Sequence, residues 1–199
     1  MSILITSHRV NKLDACRSLP QDQGAEIDLR SWNEKIILNH EPFQNGPSLD
    51  EFLKIYKKDR PAPLILNPKE DGLEKQTIEK CHQYGIENYF FLDLPIPTLI
   101  RLVKQGFRKL ALRISEYEPF EAAVRMKGMT LWVWLDCFLG STPSPELVEK
   151  LQKLNYRICI VSPELQKYPL EKIHDHRQIV PYLRPEIDAV CTKYPKLWL

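Results

Sequence analysis

The segment Ala25-Glu26-Ile27-Asp28-Leu29-Arg30 carries the pattern on which the fold turns. In an extended chain successive side chains point to opposite faces. Ile27 and Leu29 then share one face, and Glu26, Asp28 and Arg30 share the other. Such a strand buries its apolar side and presents two carboxylates about 7 Å apart along the other, given a rise near 3.3 Å per residue. Carboxylates at that spacing can share a divalent cation of the oxygen-loving kind. The next apolar run, Ile36–Asn39, ends on His40-Glu41.

On either side of this segment short apolar runs alternate with amphipathic ones. Strand character recurs at Ser2–Ile5, Pro63–Leu66, Tyr89–Leu92, Lys109–Ile114, Thr130–Leu135, Arg157–Val161 and Ala189–Cys191. Between them, Ser48–Lys57 places Leu49, Phe52, Leu53 and Tyr56 at helical spacing and opens with Ser48 and Glu51 in the capping-box relation. Glu74–Tyr84, Thr98–Gln105, Pro119–Met126 and Pro145–Leu154 repeat the helical pattern. Ser144 before Pro145 is placed as an N-cap, and Gly85, Gly106 and Gly128 stand where helix-ending glycines are expected. Strands alternating with helices of this length predict βαβ units and a mostly parallel sheet. The pattern alone allows either a doubly wound open sheet or a (β/α)8 barrel. At 199 residues a barrel would be a compact one. No low-complexity segment or linker divides the chain, so a single domain over residues 1–199 is expected.

Charge narrows the function classes. Basic residues number 28 and acidic ones 26, a balance that lacks the strongly basic footprint of a nucleic-acid binder. No apolar run approaches the ~20 residues needed to cross a bilayer. The first ten residues lack a secretory signal's basic start and apolar core, so a cytoplasmic location is expected. The five cysteines, Cys16, Cys81, Cys137, Cys159 and Cys191, form no CxxC pair and read as buried thiols. His174 and His176 stand among charged neighbours, which predicts a solvated turn, and His82 is expected on a helix surface. The oligomeric state has no signature here.

Polar residues collect at the predicted strand ends, where parallel α/β folds concentrate their chemistry. His8-Arg9 follows the first run, Glu26 and Asp28 lie in the second, His40-Glu41 ends the third, and Asn67-Pro68-Lys69 ends the fourth. Histidines, carboxylates, arginine and lysine together form the inventory of metal-assisted phosphoryl chemistry.

These residues, in this order, resemble the glycerophosphodiester phosphodiesterase family, relatives of the phosphatidylinositol-specific phospholipases. That family has an HR motif after its first strand, an E-x-D in its second, an H-D or H-E step a dozen residues later, an I-E-I-K strand and a closing T-D-Y-P turn. The matching residues are His8-Arg9, Glu26-Ile27-Asp28, His40-Glu41, Leu66-Asn67-Pro68-Lys69 and Thr192-Lys193-Tyr194-Pro195, with Glu186-Ile187-Asp188-Ala189-Val190 similar to the last strand and its leading aspartate. The match spans nearly the whole chain and is most specific between His8 and His40.

The resemblance implies a compact (β/α)8 TIM barrel of the phospholipase-like phosphodiesterase type. It implies a phosphoric diester hydrolase acting on a small, polar, glycerophosphodiester-like molecule. In that reading His8 and His40 are the general acid–base pair, Glu26, Asp28 and Asn67 the ligands of one divalent cation, Mg2+ or Ca2+, and Arg9 and Lys69 the phosphate-binding groups. Arg30 joins the phosphate-binding candidates from its position on the face of Glu26 and Asp28 rather than from the family. Trp134 is a candidate substrate wall, alternatively a core residue, and Asp93 a candidate compensating ligand. The chain departs from the family pattern at Asn67, where the family has a glutamate, at Val10, where it has a glycine, and at Lys193, where it has an aspartate. Those departures motivate an alternative: a degenerate barrel that binds a phosphorylated ligand or a partner without turnover.

Overall fold

The computed structural model describes residues 3–199, so Ser2, the start of the first expected strand, lies outside the described residues. The strands are β1 (Leu4–Ser7), β2 (Gly24–Trp32), β3 (Lys35–Leu38), β4 (Leu64–Pro68), β5 (Tyr89–Phe91), β6 (Ala111–Ile114), β7 (Trp132–Leu135), β8 (Arg157–Val161) and β9 (Ala189–Thr192). The helices are α1 (Leu13–Arg17), α2 (Leu49–Ile55), α3 (Glu74–Gln83), α4 (Ile96–Lys104), α5 (Phe120–Arg125), α6 (Pro145–Lys153) and α7 (Glu171–Arg177). Eight parallel strands run β5-β4-β2-β1-β9-β8-β7-β6 around the sheet. A parallel bridge from Phe91 to Leu110 brings the two ends together. The molecule is therefore a (β/α)8 barrel, nearly closed, with a 3-10 turn at Pro195–Leu197 after β9.

Each element follows from its local chemistry. Ser48 caps α2: its hydroxyl accepts the Glu51 N–H at 3.3 Å while the Glu51 carboxylate accepts the Ser48 N–H at 2.8 Å. Ser144 caps α6 by accepting the Leu147 N–H at 3.1 Å. Gly85, Gly106 and Gly128 have φ of 68°, 87° and 75°, the left-handed conformation that ends a helix and suits glycine. Gly24 opens β2 for a different reason. A Cβ there would lie 2.1 Å from the Pro63 carbonyl oxygen, so only a residue without one lets the two chain segments approach.

Apolar packing is in two zones. Inside the barrel Leu4, Ile65, Phe90, Trp132, Trp134, Val161 and Cys191 fill the lumen, with Phe90 stacked on Trp132 at 4.6 Å between centroids. Outside, Ile27, Leu29 and Leu66 pack against Phe52 and Leu53 of α2, while Val133, Ile158 and Ile160 pack against Val148 and Leu151 of α6. All five cysteines are free and buried.

Two expectations need correction. The run ending at His40 is not a barrel strand. Because only Asn33-Glu34 separates it from β2, β3 folds back as an antiparallel hairpin arm, with Leu29 opposite Leu38. The segment holding His174 and His176 is helix α7 rather than a solvated turn. Its charged residues face water, while Ile173 and His176 are buried. His82 is exposed, as expected. Among the described residues no helix is long and apolar enough to cross a membrane.

Candidate active site

The C-terminal mouth of the barrel holds a cavity of about 250 Å³ lined on one side by His8, Arg9, Glu26, Asn67 and Lys69. Asp93, Arg113, Trp134, Asp136, Lys167 and Lys193 complete the lining, with Lys193 beside His8 because β9 pairs with β1. Glu26 and Asp28 alternate inward from β2 and are 0% and 1% exposed. The β2–β4 register sets Asp28 beside Asn67.

Glu26 accepts the Arg9 N–H at 2.8 Å and the Asn67 amide at 3.0 Å. Burial, reinforced by the neighbouring Asp28 charge, pushes its carboxyl up to about 7. Asp28 is held at 3.0 Å by the Lys69 ammonium and at 2.7 Å by the Asn11 amide, whose oxygen also accepts the Asp28 N–H at 2.9 Å. The Arg9 Nε lies 3.8 Å from the same carboxylate. Arg9 has φ of 55°, an uncommon conformation outside glycine that brings its own N–H onto Glu26.

His8 Nε2 lies 3.7 Å from Glu26, and its Nδ1 is buried with no partner. Burial first, then the Arg9 and Lys193 charges, lowers its pKa to about 3. The ring is thus neutral, and its contact with Glu26 is not an ion pair.

His40 does not line this cavity. It is tied to the site from the side. Val10 N–H donates to the Glu26 carbonyl at 2.8 Å and Asn39 N–H to the Asp28 carbonyl at 3.1 Å, so the two histidine-bearing segments bond to alternate residues of β2. Arg30 donates through Nε and Nη2 to the His40 carbonyl, both at 3.0 Å, which fixes this turn. It therefore positions His40 rather than entering the cavity. The His40 Nδ1 is 2.6 Å from Glu41, which leaves Nε2 without a protein partner among the described residues.

On the far wall, Arg113 bonds to Asp93 and, at 2.9 Å, to Asp136. Asp136 also accepts the Gln166 amide at 2.9 Å and 3.0 Å. This network engages Asp93 and leaves it little capacity as a compensating ligand. Trp134 lines the cavity, as its alternation with Asp136 predicts. Asn11, Gln166 and Glu164 carried no sequence signal. Each acts through a partner brought close only by the fold.

The implied cation meets a suitable donor set. Among the described residues no three His, Cys, Asp or Glu side chains cluster as a metal site, so a third ligand must come from another oxygen. The Asn67 Oδ1 is buried with no partner, and the Lys69 ammonium on Asp28 is a positive stand-in beside it. Glu26, Asp28 and Asn67 thus fit a hard, oxygen-seeking divalent cation.

No family model matches the chain, and no curated protein matches it. Solved structures do. A Galdieria sulphuraria protein assigned as a glycerophosphodiester phosphodiesterase superposes with a TM-score of 0.74 at 16% identity, covering 100% of this chain and 96% of that one. A glycerophosphodiester phosphodiesterase from Agrobacterium tumefaciens superposes with a TM-score of 0.66 at 13% identity, covering 100% and 99%. The fold is therefore a (β/α)8 barrel like those of the glycerophosphodiester phosphodiesterases on which it superposes. A tryptophan synthase alpha-subunit variant from Pyrococcus furiosus also matches, with a TM-score of 0.60 at 15% identity over 96% and 86%. The barrel therefore carries more than one chemistry, and function has to be argued from the mouth residues.

Proposed function

We propose that this barrel is a divalent-metal-dependent phosphodiesterase acting on a small, polar, glycerophosphodiester-like molecule. The observation that carries the reading is the convergence of His8, Arg9, Glu26, Asn67 and Lys69 on one cavity at the strand ends, with Asp28 beneath Lys69. Glu26, Asp28 and the Asn67 oxygen would hold Mg2+ or Ca2+, which would supply Lewis-acid neutralisation of the phosphate oxygens. Arg9, nearly half exposed on its side chain, and Lys69 bind the remaining oxygens as charge-assisted donors.

His8 and His40 form the acid–base pair. One takes the proton from the attacking oxygen, either water or a neighbouring hydroxyl of the substrate. The other returns a proton to the departing alkoxide as the P–O bond breaks. Glu41 at Nδ1 would set the His40 tautomer and leave Nε2 free to exchange the proton.

The test is 31P NMR of the protein with a panel of small phosphodiesters, with Mg2+ or Ca2+ and again with EDTA. A monoester or cyclic phosphate formed only with metal is the expected result. His8→Ala and His40→Ala should each lower kcat by about 10²–10⁴-fold. The double variant should lose little more than either, because paired groups are not additive. Full activity in His40→Ala, or binding without turnover across the panel, would overturn the mechanism.

A further inference from the structure

Two of the cations that line the mouth have no carboxylate partner among the described residues. Lys69 is paired with Asp28, and Arg113 with Asp93 and Asp136. Lys167 and Lys193 line the same cavity, yet among the described residues neither lies within ion-pair distance of a carboxylate. Both are exposed, so they keep water when the site is empty and can exchange it for a ligand.

Their placement is built rather than incidental. Glu164, 7% exposed, sits on the 3-10 turn Pro163–Gln166 after β8. Its carboxylate accepts the Lys193 N–H at 2.9 Å, the Thr192 hydroxyl at 2.7 Å and the Ser162 hydroxyl. Trp198 closes the network by donating its indole N–H to Ser162 at 2.8 Å. The Glu164 carbonyl accepts the Lys167 N–H at 3.1 Å. One buried residue thus anchors the backbone of both lysines. Lys167 has φ of 67°, a left-handed conformation that a long side chain adopts at a cost.

A phosphodiester carries one negative charge. Two lysines without carboxylate partners lining the same small cavity therefore call for a second anion on the molecule bound there. We infer that Lys167 and Lys193 form a second anion subsite, and that the substrate's alcohol carries its own carboxylate or phosphate group. The inference rests on reading this mouth as a phosphodiester site.

Product-like ligands test it directly. Glycerol 3-phosphate and 3-phosphoglycerate share a phosphate and a three-carbon chain, and only the second adds a carboxylate. Glycerol bisphosphate adds a phosphate instead. By calorimetry the wild-type chain should bind one or both dianchored ligands at least about tenfold more tightly than glycerol 3-phosphate, a difference near 1.4 kcal/mol. The Lys167→Ala/Lys193→Ala double variant should lose most of that ratio. A Lys127→Ala/Lys153→Ala variant removes the same charge from exposed positions outside the mouth and should keep it. Equal binding of all three ligands by the wild type, an unchanged ratio in Lys167→Ala/Lys193→Ala, or no binding of any of them would overturn the subsite. Diester turnover without a binding preference sinks only the subsite. A preference without turnover of any diester sinks the enzyme reading and leaves the subsite standing.

Discussion

In the proposed reading Asn67 would set how strongly the barrel mouth holds a cation. Its amide nitrogen donates to Glu26 and its oxygen is buried unpaired, so as a ligand the position would supply an oxygen without a negative charge. Hard cations bind more tightly as carboxylate ligands are added. Asn67→Asp should therefore tighten Mg2+ or Ca2+ binding by an order of magnitude or more, measured by calorimetry; unchanged or weaker affinity would remove this position from the ligand set. The Glu26–Asp28 face was legible because strand periodicity places alternate residues together whatever surrounds them. The partners were not. Asn11 clamps Asp28 across 17 positions and Lys69 reaches it across 41, and nothing local in the sequence announces such pairs. Arg30 shows the limit from the other direction: it shares the face of Glu26, but its long side chain reaches past the mouth to the His40 carbonyl.

At the scale of elements, α7 carries a buried histidine that the sequence pattern hid. His176 is 0% exposed, bonded through Nδ1 to the Lys172 carbonyl at 3.0 Å, with Nε2 unpaired. Burial lowers its pKa, outweighing the Lys172 carbonyl bond and the Asp175 and Glu164 charges. An unfolded chain therefore takes up a proton at this residue, below about pH 6.5, more readily than the native one does. Stability from this site is complete above that pH and is lost as pH falls. Urea midpoints at pH 7.5 and pH 5.0 should differ less in His176→Gln than in the wild type; an equal acid loss would assign it to other groups. Asp188 joins the other elements. Fully buried, it accepts the Ile158 N–H at 2.8 Å and is held by Arg184 through Nη2 at 2.8 Å and Nε at 3.1 Å. Asp188→Ala strands Arg184 and a strand amide, so a loss of about 3–5 kcal/mol is expected in chemical denaturation. The helix starts at Ser48 and Ser144 were readable because caps are local. Helix α7 was not, because its apolar face is only a few residues wide and its identity as core depends on β8 and β9 behind it.

Across the whole molecule the barrel is held unevenly. Every neighbouring pair of barrel strands shares a ladder except β5 and β6, which meet through the single Phe91–Leu110 bridge and the Phe91 N–H to Lys109 carbonyl bond of 3.0 Å. Sparse backbone bonding makes this seam the place of lowest local stability. Amide exchange should be fastest, among strand residues, at Tyr89–Phe91 and Ala111–Ile114 and slowest in β1, β2 and β9; protection at the seam equal to that of β2 would refute it. By itself the sequence determined the alternation of strands and helices, the capped helix starts and the inward carboxylates of β2, because each follows from periodicity or from bonds between near neighbours. The motif order then selected a barrel over an open sheet. Only the tertiary structure decided that β3 is a hairpin arm carrying His40 beside β2, that Arg113 spends its charge on Asp93 and Asp136, and that Lys167 and Lys193 face one cavity with His8. The arginine and lysine placements are distances between residues far apart in the chain, and the barrel is what makes them short.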